Sequence, residues 1–271
     1  MTSLFCCPIC GAPLEREEKS YICPKRHCYD VAKEGYVNLL PANKKHAKDP
    51  GDDKDMVTAR TRFLEGGYYA PLRDALAELV VEKKPIAVLD SGCGEGWYTA
   101  GVCEALRRNG LGAKVSGVDL SRSALKKAAR RTREAEFAVA SVYHLPVADR
   151  SVDVLVNCFS PLALEEFRRV LAPQGTFLYV VPGAKHLWEL KQVLYEKPYE
   201  NAEEEIAYEG FLYEQIVPVD FTMELDAPAL QDLFRMTPYC WKTPKAGVER
   251  MGALDGLNVT ASFRIHAFRA K

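Results

Sequence analysis

Three glycines at alternate positions, Gly92, Gly94 and Gly96, follow Asp90 and separate a short apolar run at 86–89 from a stretch of helical periodicity at 98–108. Glycines so spaced let a backbone reverse sharply and approach a ligand closely. A strand, a glycine turn and a helix in that order form the opening unit of a parallel α/β sheet. The spacing is G-x-G-x-G behind an acid, not the G-x-G-x-x-G of a pyrophosphate cradle. Twenty-three residues past Gly96, Asp119 ends the next apolar run in Gly117-Val118-Asp119-Leu120-Ser121, where a carboxylate can accept both ribose hydroxyls. Turn and acid together predict a nucleoside site.

The alternation continues along the chain. Residues 121–133 read as a helix with Ser121 as N-cap, 137–140, 152–158 and 176–181 as strands, and 162–171 as a helix between the last two. Short apolar strands alternating with helices predict a doubly wound parallel sheet. Residues 56–64, 185–196 and 227–236 read as further helices, and 221–225 and 259–268 as strands. At 271 residues the chain is one large domain or one with an appendage. The division expected is a small module at 1–43, a linker and helical segment at 44–84, and the α/β domain at 85–271. No apolar run approaches the ~18 residues a membrane span needs, and no signal peptide is visible, so a cytoplasmic protein without membrane contact is expected. A net charge of −1 supplies no global positive field, which leaves nucleic acid to a local patch.

Five of the nine cysteines fall in the first 28 residues. Without a secretion signal, that clustering points to a metal and not to a disulfide framework. Cys7-x2-Cys10 and Cys23-x3-His27, with twelve residues between the pairs, offer four S and N ligands of the kind tetrahedral Zn²⁺ takes. Cys6 competes with Cys7, and Cys28 with His27, while the knuckle Cys7-Pro8-Ile9-Cys10-Gly11 favours Cys7 and Cys10. With no carboxylate nearby, the zinc is expected to be structural.

The turn and the second acid resemble the class I S-adenosylmethionine-dependent methyltransferases, which have a Rossmann-like fold. That resemblance implies cofactor-binding roles for Asp90, Gly92, Gly94, Glu95 and Gly96 in and beside the turn, and for Asp119 at the ribose. Only Ser141 is polar where the family places a contact near the adenine. Asn157-Cys158-Phe159-Ser160-Pro161 lacks the N/D-P-P-Y/F motif of exocyclic amino methylation. Over nearly its whole length the chain is similar to the 23S rRNA guanine-N1 methyltransferases. The match runs through Cys7-x2-Cys10, Tyr21-Ile22-Cys23-Pro24-x2-His27, Ala32-Lys33-Glu34-Gly35-Tyr36-Val37-Asn38-Leu39-Leu40-Pro41 and Asp49-Pro50-Gly51-Asp52. It continues through Phe63-Leu64, Tyr69, Pro71-Leu72-Arg73-Asp74, Gly92 to Gly96, His186-Leu187, Glu189-Leu190-Lys191 and Met236-Thr237-Pro238.

This second resemblance implies an N-terminal zinc module that recognises RNA, S-adenosyl-L-methionine as methyl donor, and a target guanine in a hairpin loop of 23S rRNA. It also implies that Tyr69 and His186 flank the cofactor, and it allows a homodimer. By themselves, an aromatic at 69 reads as packing and a histidine at 186 as a cap or a solvated side chain. Guanine N1 carries a proton, so a general base or a hydrogen bond to O6 is expected, but the sequence names no catalytic residue. Lys44, Lys45, His46 and Lys48 follow the zinc module and are placed to neutralise phosphates. Arg122, Lys126, Lys127, Arg130, Arg131 and Arg133 form either an RNA-facing stripe or the solvated face of a surface helix. Two rivals share these features in part: a methyltransferase for a small metabolite, which has no use for a zinc module, and a non-enzymatic zinc-containing RNA binder.

Overall fold

Short apolar runs pair into two sheets in the computed structural model, which describes residues 2–41, 54–203 and 205–271. The basic and polar stretch holding Lys44, Lys45, His46, Lys48 and Asp49-Pro50-Gly51-Asp52 lies outside the described residues. At the N-terminus, β1 (Thr2–Cys6), β2 (Pro13–Arg16), β3 (Ser20–Ile22) and β4 (Cys28–Asp30) form a four-stranded antiparallel sheet. β5 (Tyr36–Asn38) leaves it for the edge of the large sheet. Next come α1 (Lys54–Glu65), α2 (Ala70–Glu82), β6 (Ala87–Ser91), α3 (Trp97–Arg108), β7 (Lys114–Asp119), α4 (Arg122–Arg131) and β8 (Ala135–Val139). β9 (Val152–Cys158), α5 (Leu164–Val170), β10 (Leu171–Pro182), α6 (Trp188–Leu194), β11 (Phe211–Asp226), α7 (Ala227–Met236), α8 (Tyr239–Lys242), α9 (Lys245–Gly252) and β12 (Gly256–Ala270) complete the fold.

The large sheet runs β11-β12-β10-β9-β6-β7-β8-β5. From β10 to β5 it is parallel, as the alternating pattern predicts. The wholly parallel expectation fails at the other end, where β12 is antiparallel to both β10 and β11. The reason is local. The helical excursion between β11 and β12 begins and ends at one point, where Ala227 N–H donates to Asp255 O at 2.9 Å, so β12 must run back along β11. A period-2 pattern marks a strand and leaves its direction open.

Both faces of the sheet are covered, which is why every residue of β6 is buried. One face packs under the helices, with Phe63, Leu72, Leu106, Leu125, Leu190 and Leu233 against Val88, Val154, Val180 and Ile265. The opposite face is covered by α5 together with the N-terminal sheet: Phe5, Leu14 and Tyr21 join Phe167 over Leu89, Val118, Leu155 and Phe177. Glu136 of β8 anchors that module, accepting from Ser3 Oγ at 2.6 Å and Tyr21 Oη at 3.0 Å. Among the described residues no helix is long and apolar enough to cross a membrane.

Candidate functional site

The glycine turn sits where β6 gives way to α3, at the carboxyl ends of the parallel strands, the place where open α/β sheets bind ligands. Gly92, Gly94 and Gly96 have φ of +83°, +53° and +70°, in the left-handed region that only glycine enters cheaply. Packing adds a second requirement at two of them. A Cβ on Gly96 would stand 2.8 Å from Ala128 Cβ, and one on Gly92 would overlap Ser160 Oγ. At Gly94 a Cβ would meet nothing within 4 Å, so this glycine turns its open side outward and leaves backbone exposed to a ligand.

Asp119 clamps the turn. Its Oδ2 accepts from Gly94 N–H at 2.9 Å and its Oδ1 from Ser121 N–H at 2.7 Å, while Gly92 and Cys93 N–H donate to Val118 O at 2.9 and 3.0 Å. Beneath them Asp90 is buried and accepts from Thr99 Oγ1 at 2.5 Å. Burial lifts the Asp90 carboxyl to about 7 against the pull of the Thr99 hydrogen bond, with the charge of Asp119 adding to the rise. Glu95 is buried too, and both its oxygens serve the chain itself: Arg131 Nη2 donates at 2.6 Å and Thr61 Oγ1 at 2.6 Å. The structure therefore places Glu95 as a strut between the turn, α1 and α4.

An aromatic wall stands beside the turn, linked to it through Tyr98 and Phe159. Tyr69 and His186 are both buried, with ring centroids 6.4 Å apart, and Phe263 of β12 stands between them at 5.0 and 4.5 Å. Burial, with the Lys191 charge adding, pushes the His186 imidazole down to about 3. It is neutral, and Ser262 N–H donates to its Nδ1 at 3.3 Å, which leaves the proton on Nε2. Sequence reasoning missed Thr99, Ser160 and Phe263. Thr99 reaches Asp90 from the first turn of α3, Ser160 reaches Gly92 through a loop crossing and Phe263 reaches the wall through strand register, and none carries a local signal. Of the basic residues on α4 and just after it, Lys127 bonds Thr61, Arg130 bonds Glu34, Arg131 bonds Glu95 and Glu65, and Arg133 bonds Glu34 O. Those four stitch α4 to α1 and to the segment leading into β5.

At the other end of the chain Cys7, Cys10, Cys23 and His27 bring one ligand atom each to within 4.8 Å of one another. Ligands of a tetrahedral Zn²⁺ at the usual S and N bond lengths stand roughly 3.5–3.8 Å apart. Here Cys10 Sγ and Cys23 Sγ are 3.7 Å apart, and His27 Nδ1 is 3.4 Å from the sulfurs of both Cys7 and Cys23. Cys6 and Cys28 stand outside this cluster. Burial would raise the Cys7 thiol, but the Tyr29 hydroxyl at 3.0 Å and the backbone N–H groups of Cys10 and Ile9 outweigh it and bring it to about 6. The four side chains fit the metal in number, type and spacing.

Comparison with known proteins agrees with both halves. The family model described as "RlmA, N-terminal", a zinc ribbon, matches residues 5–48, and the model "Methyltransferase domain" matches residues 88–175. The Bacillus subtilis (strain 168) protein YxjB, provisionally named a 23S rRNA (guanine-N(1)-)-methyltransferase, is 34% identical over 97% of this chain and 96% of its own. The Streptomyces fradiae 23S rRNA (guanine(748)-N(1))-methyltransferase is 34% identical over 93% of this chain and 91% of its own. A Thermotoga maritima demethylmenaquinone methyltransferase is 33% identical, but over 41% of this chain and 46% of its own.

Proposed function

The chain belongs to the 23S rRNA (guanine-N1)-methyltransferase family, and from that premise we propose that it transfers the methyl group of S-adenosyl-L-methionine to N1 of one guanine in a hairpin loop of 23S rRNA. The observation that carries the reading is coverage. The rRNA-modifying relatives match the zinc ribbon and the catalytic domain together, whereas the quinone methyltransferase shares well under half of the chain.

S-adenosyl-L-methionine, when bound, supplies a methyl already activated on a sulfonium, so the protein's work is to hold, align and exclude water. The open backbone at Gly94 and the turn at Gly92 and Gly96 fit close approach of the methionyl and ribose parts. Asp119, fixed in place by two backbone donors, is the carboxylate that meets the ribose hydroxyls. Asp90 supports the turn from below, and Glu95 acts on the cofactor through the helices it joins. Tyr69 and His186, packed on Phe263, flank the cofactor. A neutral imidazole suits a cationic sulfonium neighbour, which a protonated one would repel. Cys7, Cys10, Cys23 and His27 hold a structural zinc that shapes the module, and the module recognises the RNA. An unpaired loop guanine reaches the methyl donor at little unstacking cost.

Primer extension along 23S rRNA tests the assignment, because a methyl on guanine N1 blocks Watson–Crick pairing. One new stop after incubation with protein and methyl donor, next to a guanine in a hairpin loop, is the expected result. A stop at a paired guanine, or none, counts against it.

A further inference from the structure

Phe159 follows β9 with φ of +56°, a backbone region where a bulky aromatic residue is a steric outlier and persists only when its surroundings impose it. Two contacts impose it here. Asn157 Nδ2 donates to Pro161 O at 3.1 Å and closes the loop beneath Phe159. Ser160 lies on Gly92 so closely that no Cβ fits between them, which presses the loop onto the glycine turn. The left-handed residue between these clips sends its ring outward: Phe159 is 50% exposed, although its neighbours Asn157 and Cys158 are buried.

The ring is not loose. Its centroid is 6.5 Å from Tyr98 in an edge arrangement and 5.6 Å from Phe263, and Phe263 is itself in contact with Tyr69 and His186. The chain thus bears a strained backbone and a half-wet aromatic ring at one residue, beside the turn and the aromatic wall. The strain costs the fold, and the ring's contacts leave half of it in water. Together they hold a π face beside the glycine turn and the aromatic wall, and a purine drawn out of an RNA loop is recognised by stacking on such a face.

We propose that Phe159 is the platform on which the target guanine stacks, holding its N1 edge toward the methyl donor. This deepens the rRNA guanine-N1 reading and rests on it. Base–aromatic stacking is worth roughly tenfold to a hundredfold in binding, and the loss is specific to the π face.

The test compares full-length, zinc-loaded wild type with Phe159→Ala, Phe159→Leu, Phe159→Tyr and Phe159→Gly. The readouts are initial rates of methyl transfer to an unmodified 23S rRNA transcript over a range of RNA concentrations, S-adenosylhomocysteine affinity by calorimetry, and thermal unfolding. kcat/KM for RNA is expected to fall roughly tenfold or more in the Ala and Leu variants, within the stacking range. The Tyr variant, which restores the face, should recover it, and S-adenosylhomocysteine affinity should be unchanged throughout. Phe159→Gly, relieved of the left-handed strain, should lose transfer while melting no lower than wild type. A leucine variant as active as wild type, or a loss of transfer fully accounted for by weaker S-adenosylhomocysteine binding, overturns the platform. Wild type that binds S-adenosylhomocysteine and methylates no 23S rRNA overturns the functional reading, and the platform with it.

Discussion

Asp119 is engaged by the protein before any ligand arrives, which makes its carboxylate a preorganised acceptor. Asp119→Asn loses the charge and turns an amide NH2 toward one of the two backbone donors, so it should weaken S-adenosylhomocysteine binding at least about tenfold, the ~1.4 kcal/mol of one charged hydrogen bond or more, as read by calorimetric titration. Asp90 and His186 make opposite demands on pH. The unfolded chain ionises Asp90 above its ordinary 3.8, while the folded chain keeps the proton to about 7, so this residue's contribution to stability falls as pH rises through that window. The unfolded chain protonates His186 below its ordinary 6.5, while the folded chain resists to about 3, so that contribution falls as pH drops. The two slopes offset each other where the windows overlap, and single variants separate them. Asp90→Asn should gain melting temperature relative to wild type as pH rises from 3.8 to 7 and level off above, and His186→Asn should gain relative to wild type as pH falls below 6.5. At this scale the sequence exposed what spacing encodes: the glycines, Asp90, Asp119 and the ligand pairs at Cys7 and Cys23. It hid Thr99, Ser160 and Phe263, whose partners lie 9, 68 and 194 residues away along the chain, at Asp90, Gly92 and Tyr69.

Helix α4 shows what a run of charges leaves open. Its position and its Ser121 cap, which accepts from Ala124 N–H at 3.2 Å, follow from local chemistry, whereas the destinations of its basic side chains depend on what packs beside it. Arg131 pairs with Glu95, whose side chain is 3% exposed. Arg131→Ala strands that carboxylate and should cost about 3 kcal/mol in urea unfolding, part of it recovered when Glu95→Gln is added. The sheet of β1 to β4 poses the converse case. Its strands are three to five residues long, too short to hold by pairing alone, so the metal cluster must supply much of its stability. One zinc per chain is expected by elemental analysis. Chelation should abolish hydrogen-exchange protection in β1 to β4 while β6 and β9 remain protected. Protection that survives complete removal of the metal would show that packing on Glu136 and Leu89 suffices.

As a whole the molecule is three layers, and the third is shared between α5 and the zinc ribbon. The sequence marks the ribbon as a separate module because its ligands are local. Its docking is invisible there because no local spacing tells which apolar side chains of the module reach another sheet; Phe5, Leu14 and Tyr21 cover Leu89, Val118 and Leu155 of the large sheet. The parallel half of that sheet was legible from alternating strands and helices, and the antiparallel return of β12 was not, because strand direction is set by where the intervening helices begin and end. This arrangement ties the metal module to the sheet that carries the glycine turn, as expected of one enzyme with one RNA substrate. The central claim is tested most directly by incubating the protein with methyl-labelled S-adenosyl-L-methionine and unmodified 23S rRNA, with tRNA and small-subunit rRNA as controls, followed by nucleoside mass spectrometry. Labelled 1-methylguanosine in the large-subunit RNA alone is the predicted result; cofactor binding with no transfer to any RNA, or transfer to the control RNAs instead, contradicts it.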